Sequence, residues 1–137
     1  KYSRAHEWQL DGITVPASSS PAVVRLPLSR ADAIDPEEAL VASLASCHML
    51  FFLDFAARAG LRIDEYRDTV SATMSKNEAG KIWISRVVLH PEVTFSGDKR
   101  PTAADVADLH HKSHAECFIA NTLKSEVVID TIPPRFA

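Results

Sequence analysis

Between Asp35 and Gly60 the chain carries no helix breaker except a proline at its start, and from Ala39 to Leu53 only Ser43, Ser46 and His48 interrupt an apolar run. Asp35-Pro36-Glu37-Glu38 supplies an N-cap, a proline at the first helical position and an acid three residues after the cap, which is a capping-box arrangement. The spacing predicts a helix from Pro36 to about Ala59, with Arg58 in its last turn and Gly60 as the stop. No face of such a helix is wet, so it must be covered all round. From Pro36 to Ala59 it spans ~36 Å, and a sheet of five or so short strands covers only one of its sides. A second subunit is the simplest cover. The expectation is an obligate homodimer with the two central helices packed together.

The flanking segments are mixed. Trp8 and Leu10 lead into Asp11-Gly12, a dipeptide that accepts positive φ, and Ile13-Thr14-Val15 returns, so residues 2–17 read as a hairpin. Val23 to Leu26 is a short apolar run in a connector ending at Ile34. From Asp68 to Met74, the apolar Val70, Ala72 and Met74 alternate with Thr69, Ser71 and Thr73, which predicts a strand with one wet face. Lys81 to Leu89 reads as another strand, resuming after Pro91 as Val93-Thr94-Phe95, with the proline at a bulge or an edge. Thr102-Ala103-Ala104-Asp105 repeats the capping signal and opens a helix reaching about Cys117, and Glu126 to Thr131 is a last strand. This order of strands and helices indicates an α+β fold.

A length of 137 residues suits one domain, 1–137, able to bury a real core. Hydrophobic residues at 46% and charged residues at 24%, with 15 basic against 18 acidic side chains, exclude disorder and a generally basic nucleic-acid surface. No window reaches ~18 uninterrupted apolar residues, and residues 1–30 lack the profile of a signal peptide. The chain therefore reads as cytoplasmic, with neither membrane nor nucleic acid as a partner. Cys47 and Cys117 are too few for a disulfide scaffold, so any pairing between them is functional rather than structural.

Cys47 lies mid-helix in Ser46-Cys47-His48-Met49. A cysteine in an apolar helix is commonly an inert small hydrophobe. Far from the helix N-terminus it gains little from the dipole, so a reactive thiolate there needs a cation from another segment. His48 adjoins it but points ~100° away around the helix, which makes a buried, hydrogen-bonded histidine its expected role rather than a general base.

Asp35-Pro36-Glu37-Glu38-Ala39-Leu40 followed by Ser46-Cys47-His48-Met49 resembles the nucleophile helix of the OsmC/Ohr family of thiol-dependent peroxidases, in wording closer to the OsmC-like branch. His114-Ala115-Glu116-Cys117-Phe118-Ile119-Ala120-Asn121 resembles the segment carrying that family's second cysteine, and with Tyr2-Ser3-Arg4 the likeness covers nearly the whole chain. The resemblance implies an OsmC-like fold, an antiparallel sheet wrapped around long central helices in an intertwined homodimer, with active sites at the subunit interface. It further implies reduction of organic hydroperoxides, and of hydrogen peroxide, by a cysteine pair without metal or flavin. A small dithiol or a lipoylated protein would be the reductant. Carried over, Cys47 is the peroxidatic nucleophile, Cys117 the resolving thiol and Glu37 the glutamate that holds an active-site arginine. Arg4 is the first choice for that arginine, with Arg25 and Arg30 in reserve. Glu116-Cys117-Phe118-Ile119 stands where the hydroperoxide-resistance branch usually has Cys-Pro-Tyr-Ser, a difference that bears on substrate and reductant.

On one straight helix Glu37 and Cys47 are ~15 Å apart and ~80° out of phase. Either the helix breaks after its first turn or an arginine bridges the carboxylate and the sulfur. Met49, Leu50, Phe51 and Phe52 make the surroundings apolar, which suits an alkyl or lipid hydroperoxide. Two other readings remain. His110, His114 and Cys117 fall at i, i+4 and i+7 within one ~60° arc and could ligate zinc. A non-catalytic dimeric module with the same fold is the third. Asp98-Lys99-Arg100 is short and mixed in sign, a wet turn.

Overall fold

In the computed structural model, which describes residues 1–137, the Asp11-Gly12 pair makes the predicted two-residue turn, with φ of 46° and 80°. It joins β1 (His6–Leu10) to β2 (Ile13–Ala17), antiparallel, with Leu10 opposite Ile13. The hairpin thus starts at His6 rather than at residue 2. Ile34 bridges back to β2, accepting the Ser18 N–H at 3.0 Å and donating to the Pro16 carbonyl at 3.1 Å. The chain divides into two units, Lys1–Leu40 and Val41–Ala137.

Helix α1 (Pro36–Arg58) begins as its sequence dictates. The Glu38 N–H donates to Asp35 Oδ1 at 2.8 Å, and Glu38 Oε2 accepts the Asp35 N–H at 3.3 Å, so each side chain satisfies an otherwise unpaired donor. It ends at Gly60 (φ 72°), where Leu61 N–H bonds the Ala56 carbonyl at 3.0 Å and Gly60 N–H bonds that of Ala57 at 2.9 Å. These two bonds are a Schellman stop, which needs a left-handed residue. A Cβ on Gly60 would meet nothing nearer than Lys99 Nζ at 4.0 Å, so Gly60→Ala carries a backbone cost without a clash. Urea denaturation should show it destabilised by about 1 kcal/mol.

Within the second unit the predicted single sheet is two three-stranded sheets. Strands β3 (Arg62–Asp68), β6 (Pro91–Ser96) and β8 (Arg135–Phe136) form one, in the order β3-β6-β8. Strands β4 (Ser71–Lys76), β5 (Ile82–Leu89) and β7 (Glu126–Ile129) form the other, in the order β4-β5-β7. β3–β6 and β4–β5 are antiparallel, whereas β7 and β8 each add in parallel. The expected strand Asp68 to Met74 is therefore split between β3 and β4. Thr69 and Val70 separate them on one side of the ribbon and His90 separates β5 from β6 on the other. At this corner the His90 N–H donates to Asp68 Oδ1 at 2.7 Å, and His90 Nδ1 lies 2.7 Å from the Thr69 carbonyl. Pro91, lacking an N–H, opens β6 there.

Helix α2 (Ala103–Glu116) carries the predicted capping box, with Thr102 and Asp105 bonded reciprocally. It stops one residue short of Cys117, and a short helix, α3 (Phe118–Thr122), follows.

Only one stripe of α1 is buried: Leu44, His48, Phe52 and Ala56, at four-residue spacing. Phe52 and Ala56 pack with Val93, Phe95, Val106 and Leu109, while Leu44 packs with Val87, Leu89 and Cys117. One end of the helix thus serves the β3-β6-β8 sheet and α2, the other the β4-β5-β7 sheet. The all-round cover expected from composition is not supplied by the single chain, which leaves Leu50 60% exposed. By length and composition, with a mean hydropathy of 1.7, α1 would also reach across a membrane. The buried His48 and the apolar stripe seated on both sheets are instead what a core helix carries.

Candidate functional site

The α1 stripe that includes Leu44 brings the next turn of the helix against the α2–α3 junction. Cys47, half-buried on α1, joins the apolar cluster containing the fully buried Cys117. Both are free thiols, and Cys47 packs against the cluster that holds Cys117. Cys117 closes α2 and caps α3, its sulfur accepting the Ala120 N–H at 3.4 Å. Burial pushes the Cys117 thiol above its ordinary pKa, and the neighbouring Cys47 adds to the rise against the opposing Ala120 bond. Cys117 is consequently held as the protonated thiol.

Over Cys47 opens a pocket of about 500 Å³ lined by Ser43, Ser46, Cys47, Leu50, Phe51, Asp54, Phe118 and Ile119. Its surface is mostly hydrocarbon. Phe118 stands 72% exposed at the rim and meets Phe51 edge-on, with centroids 5.1 Å apart. Of the apolar residues expected around the sulfur, Leu50 and Phe51 line this pocket. Phe52 points to the opposite side of α1, and Met49 is not in the wall. Phe118 and Ile119 enter it unforeseen, although an aromatic directly after a cysteine was the available signal.

The only charged residue of the wall is Asp54, itself paired with Arg58 at 2.8 Å, so no cation faces Cys47 from this pocket. The three candidate arginines all lie in the first unit. Arg4 stacks its guanidinium over the Tyr2 ring at 3.9 Å and donates to the Tyr2 carbonyl, leaving donors uncommitted. Arg30 is bound edge-on by Asp32, with contacts of 2.9 and 2.8 Å, and Arg25 is exposed. Glu37 sits in the first turn of α1, partly buried. The helix is unbroken from there through Cys47, so the ~15 Å of axial rise between the two side chains stands and contact would need a bridging group.

His48 faces away from the sulfur, as expected. It is 1% exposed, and its Nε2 lies 3.0 Å from Nδ1 of the equally buried His110, whose ring stacks on Phe52 at 4.2 Å. Burial drives both imidazoles toward the neutral form: His48 to a pKa of about 4, assisted by His114, and His110 to about 3, assisted by His48. The zinc reading does not survive this arrangement. His110 is turned to His48, Cys117 is buried in the apolar cluster with Leu44, Val87 and Leu89, and no three His, Cys, Asp or Glu side chains converge as a ligand set.

Residues 29–132 match the family model described as OsmC-like protein. An OsmC-like protein of unknown function from Vibrio cholerae O1 biovar eltor is 46% identical over 95% of this chain and 85% of its own, with a TM-score of 0.93. An OsmC-like protein from Mycoplasma pneumoniae is 16% identical over 97% of this chain and 89% of its own, at a TM-score of 0.74. An organic hydroperoxide resistance protein from Elizabethkingia anophelis is 16% identical over 98% and 89%, at 0.70. The last two likenesses are of fold. None of the curated proteins compared matches. With the matched segment spanning α1, both cysteines and every strand of the second unit except β8, the chain belongs to the OsmC-like family.

Proposed function

We propose that the protein is a cysteine-based peroxidase that reduces organic hydroperoxides, alkyl or lipid, and with lower preference hydrogen peroxide. The observation that carries the reading is that Cys47 and Cys117, both free thiols, share one apolar cluster beside a pocket able to hold a hydrocarbon chain. A protein that shares this fold, from Elizabethkingia anophelis, is named for organic hydroperoxide resistance, and the reading extends that chemistry to this chain.

Cys47, the less buried thiol, is the nucleophile. Its thiolate attacks the distal oxygen of the hydroperoxide: an S–O bond forms, the O–O bond breaks, and the alkoxide leaves and is protonated to the alcohol. Cys117, protonated at rest, gives up its proton as its sulfur attacks the sulfenic sulfur. The S–S bond forms, the S–O bond breaks, and hydroxide departs with the Cys117 proton as water. A dithiol, small or carried on a lipoylated protein, reopens the disulfide, and neither metal nor flavin takes part. A guanidinium stabilises the thiolate and the departing alkoxide. Arg4 is assigned this part, with Arg25 and Arg30 as its alternatives, and Glu37 is assigned the opposite edge of that guanidinium. Because the pocket wall is without a cation and α1 is incompletely covered, the working form is read as a homodimer. Its setting is read as the cytoplasm, with no membrane or nucleic-acid partner.

The test is thiol accounting. One equivalent of an alkyl hydroperoxide should consume both thiols of the wild type and form one intramolecular disulfide that dithiothreitol reverses. Cys117→Ser should instead stop at a sulfenic acid on Cys47 that dimedone traps. Thiols that persist in excess hydroperoxide would rule the peroxidase out.

A further inference from the structure

Cys117 is the single residue between α2 and α3, and its backbone (φ −62°, ψ 116°) turns one helix into the next. The last carbonyls of a helix have no partner within it. Here one side chain supplies a missing donor and a second bond besides: Asn121 Nδ2 donates at 2.9 Å to the Ala115 carbonyl and at 2.9 Å to that of Cys117. Both N–H bonds of one carboxamide therefore tie together the two sides of the bend. The main chain adds Cys117 N–H to the Ser113 carbonyl at 2.9 Å and Asn121 N–H to that of Cys117 at 3.0 Å. Ile119 and Ala120 pack against the cluster containing Cys117, but no residue of α3 is fully buried and Asn121 itself is exposed, so packing alone does not set the bend. The sulfur that must meet Cys47 hangs from its first position.

We infer that Asn121 is a positioning residue for thiol resolution: by bridging the Ala115 and Cys117 carbonyls it holds the bend that aims Cys117 Sγ at Cys47. Its biological purpose rests on the peroxidase reading, while the aim of the thiol does not. Attack of one sulfur on another requires the incoming atom in line with the bond that breaks, and a misplacement of ~1 Å can cost ~100-fold in rate. A clamp removed from the bend leaves peroxide attack at Cys47 intact and slows only the step in which the S–S bond forms and water leaves.

The experiment compares the full-length wild type with Asn121→Asp, which has the same shape but no donors, and with Asn121→Ala. In single turnover with an alkyl hydroperoxide, sulfenic acid formation on Cys47 should be unchanged. Closure of the disulfide should slow ~10- to 100-fold, with sulfinic acid accumulating at high hydroperoxide. A peroxide-free arm uses oxidised glutathione. There the Cys47 thiolate displaces one glutathione to give a mixed disulfide, and Cys117 displaces the second; the second step alone should slow. If Asn121→Asp closes the disulfide at the wild-type rate with both oxidants, the inference is overturned. It is equally overturned if both steps slow together alongside a lowered Tm, which is what loose folding would do. A wild type inert to hydroperoxide, yet closing with glutathione in an Asn121-dependent manner, sinks the peroxidase and upholds the clamp.

Discussion

Cys47→Ser should abolish hydroperoxide turnover, on the order of 10³-fold or more, the scale seen when a covalent nucleophile is removed. The thiolate, not the thiol, is the reacting species, and a serine hydroxyl offers no comparable ionised form near neutral pH. Cys47 is half-buried and packs at the margin of its cluster, so this near-isosteric change leaves the fold in place. The comparison is informative because Cys117→Ser touches a fully buried sulfur one contact away, yet should retain a first oxidation. Steady-state consumption of an alkyl hydroperoxide with dithiothreitol, measured on both variants beside circular dichroism melts, decides the matter. A Cys47→Ser protein that still turns over means that the chemistry lies elsewhere.

Mild acid should unfold the protein through its paired imidazoles. In the unfolded chain histidine titrates near ~6.5. Burial holds His48 at about 4 and His110 at about 3 in the folded state. Between those values the unfolded chain binds up to two more protons than the native one, so stability is intact above pH 6.5 and falls as the pH drops. The slope approaches about 2.7 kcal/mol per pH unit for two such groups, which exceeds most single-residue effects. Asp68, whose carboxyl burial pushes up despite the opposing His90 bond, acts in the other sense, since protonation relieves it. The trend is thus assigned to the imidazoles. Urea midpoints for wild type should decline steeply from pH 6.5 to 4.5. The double variant His48→Leu/His110→Leu should follow a flatter line, because replacing both partners leaves neither of these buried imidazoles to protonate. His110→Leu alone orphans His48 Nε2 and should cost ~1–3 kcal/mol even at pH 7.5. Parallel wild-type and double-variant curves would refute the assignment.

Features written within a few residues were legible from the chain itself. Both capping boxes, the Asp11-Gly12 turn and the Gly60 stop appear where the residues indicate, because each needs only a hydrogen bond or a positive φ that a neighbour supplies. Strand β3 was missed because Arg62, Asp64, Glu65 and Arg67 crowd it with charge, and a register shift between Ile63 and Glu65 breaks its alternation. β8, two residues long and paired in parallel, has no periodicity to read. Features that depend on distant partners were not legible. His110 is 62 positions from His48, and nothing local announces that they meet. The two cysteines came together in advance only through family likeness. A four-residue strip, Leu44 to Ala56 at every fourth place, was also narrower than an almost uniformly apolar helix suggested.

The corner at Asp68 and His90 has a further effect. The same two lengths of chain, one carrying β3 and β4 and the other β6 and β5, contribute to both sheets, and one stripe of a single helix is seated on the two of them. Neither leaf can peel off without dragging its continuation, so loosening started at the sulfur end is felt at the aromatic end. The second unit is therefore built to melt as one body.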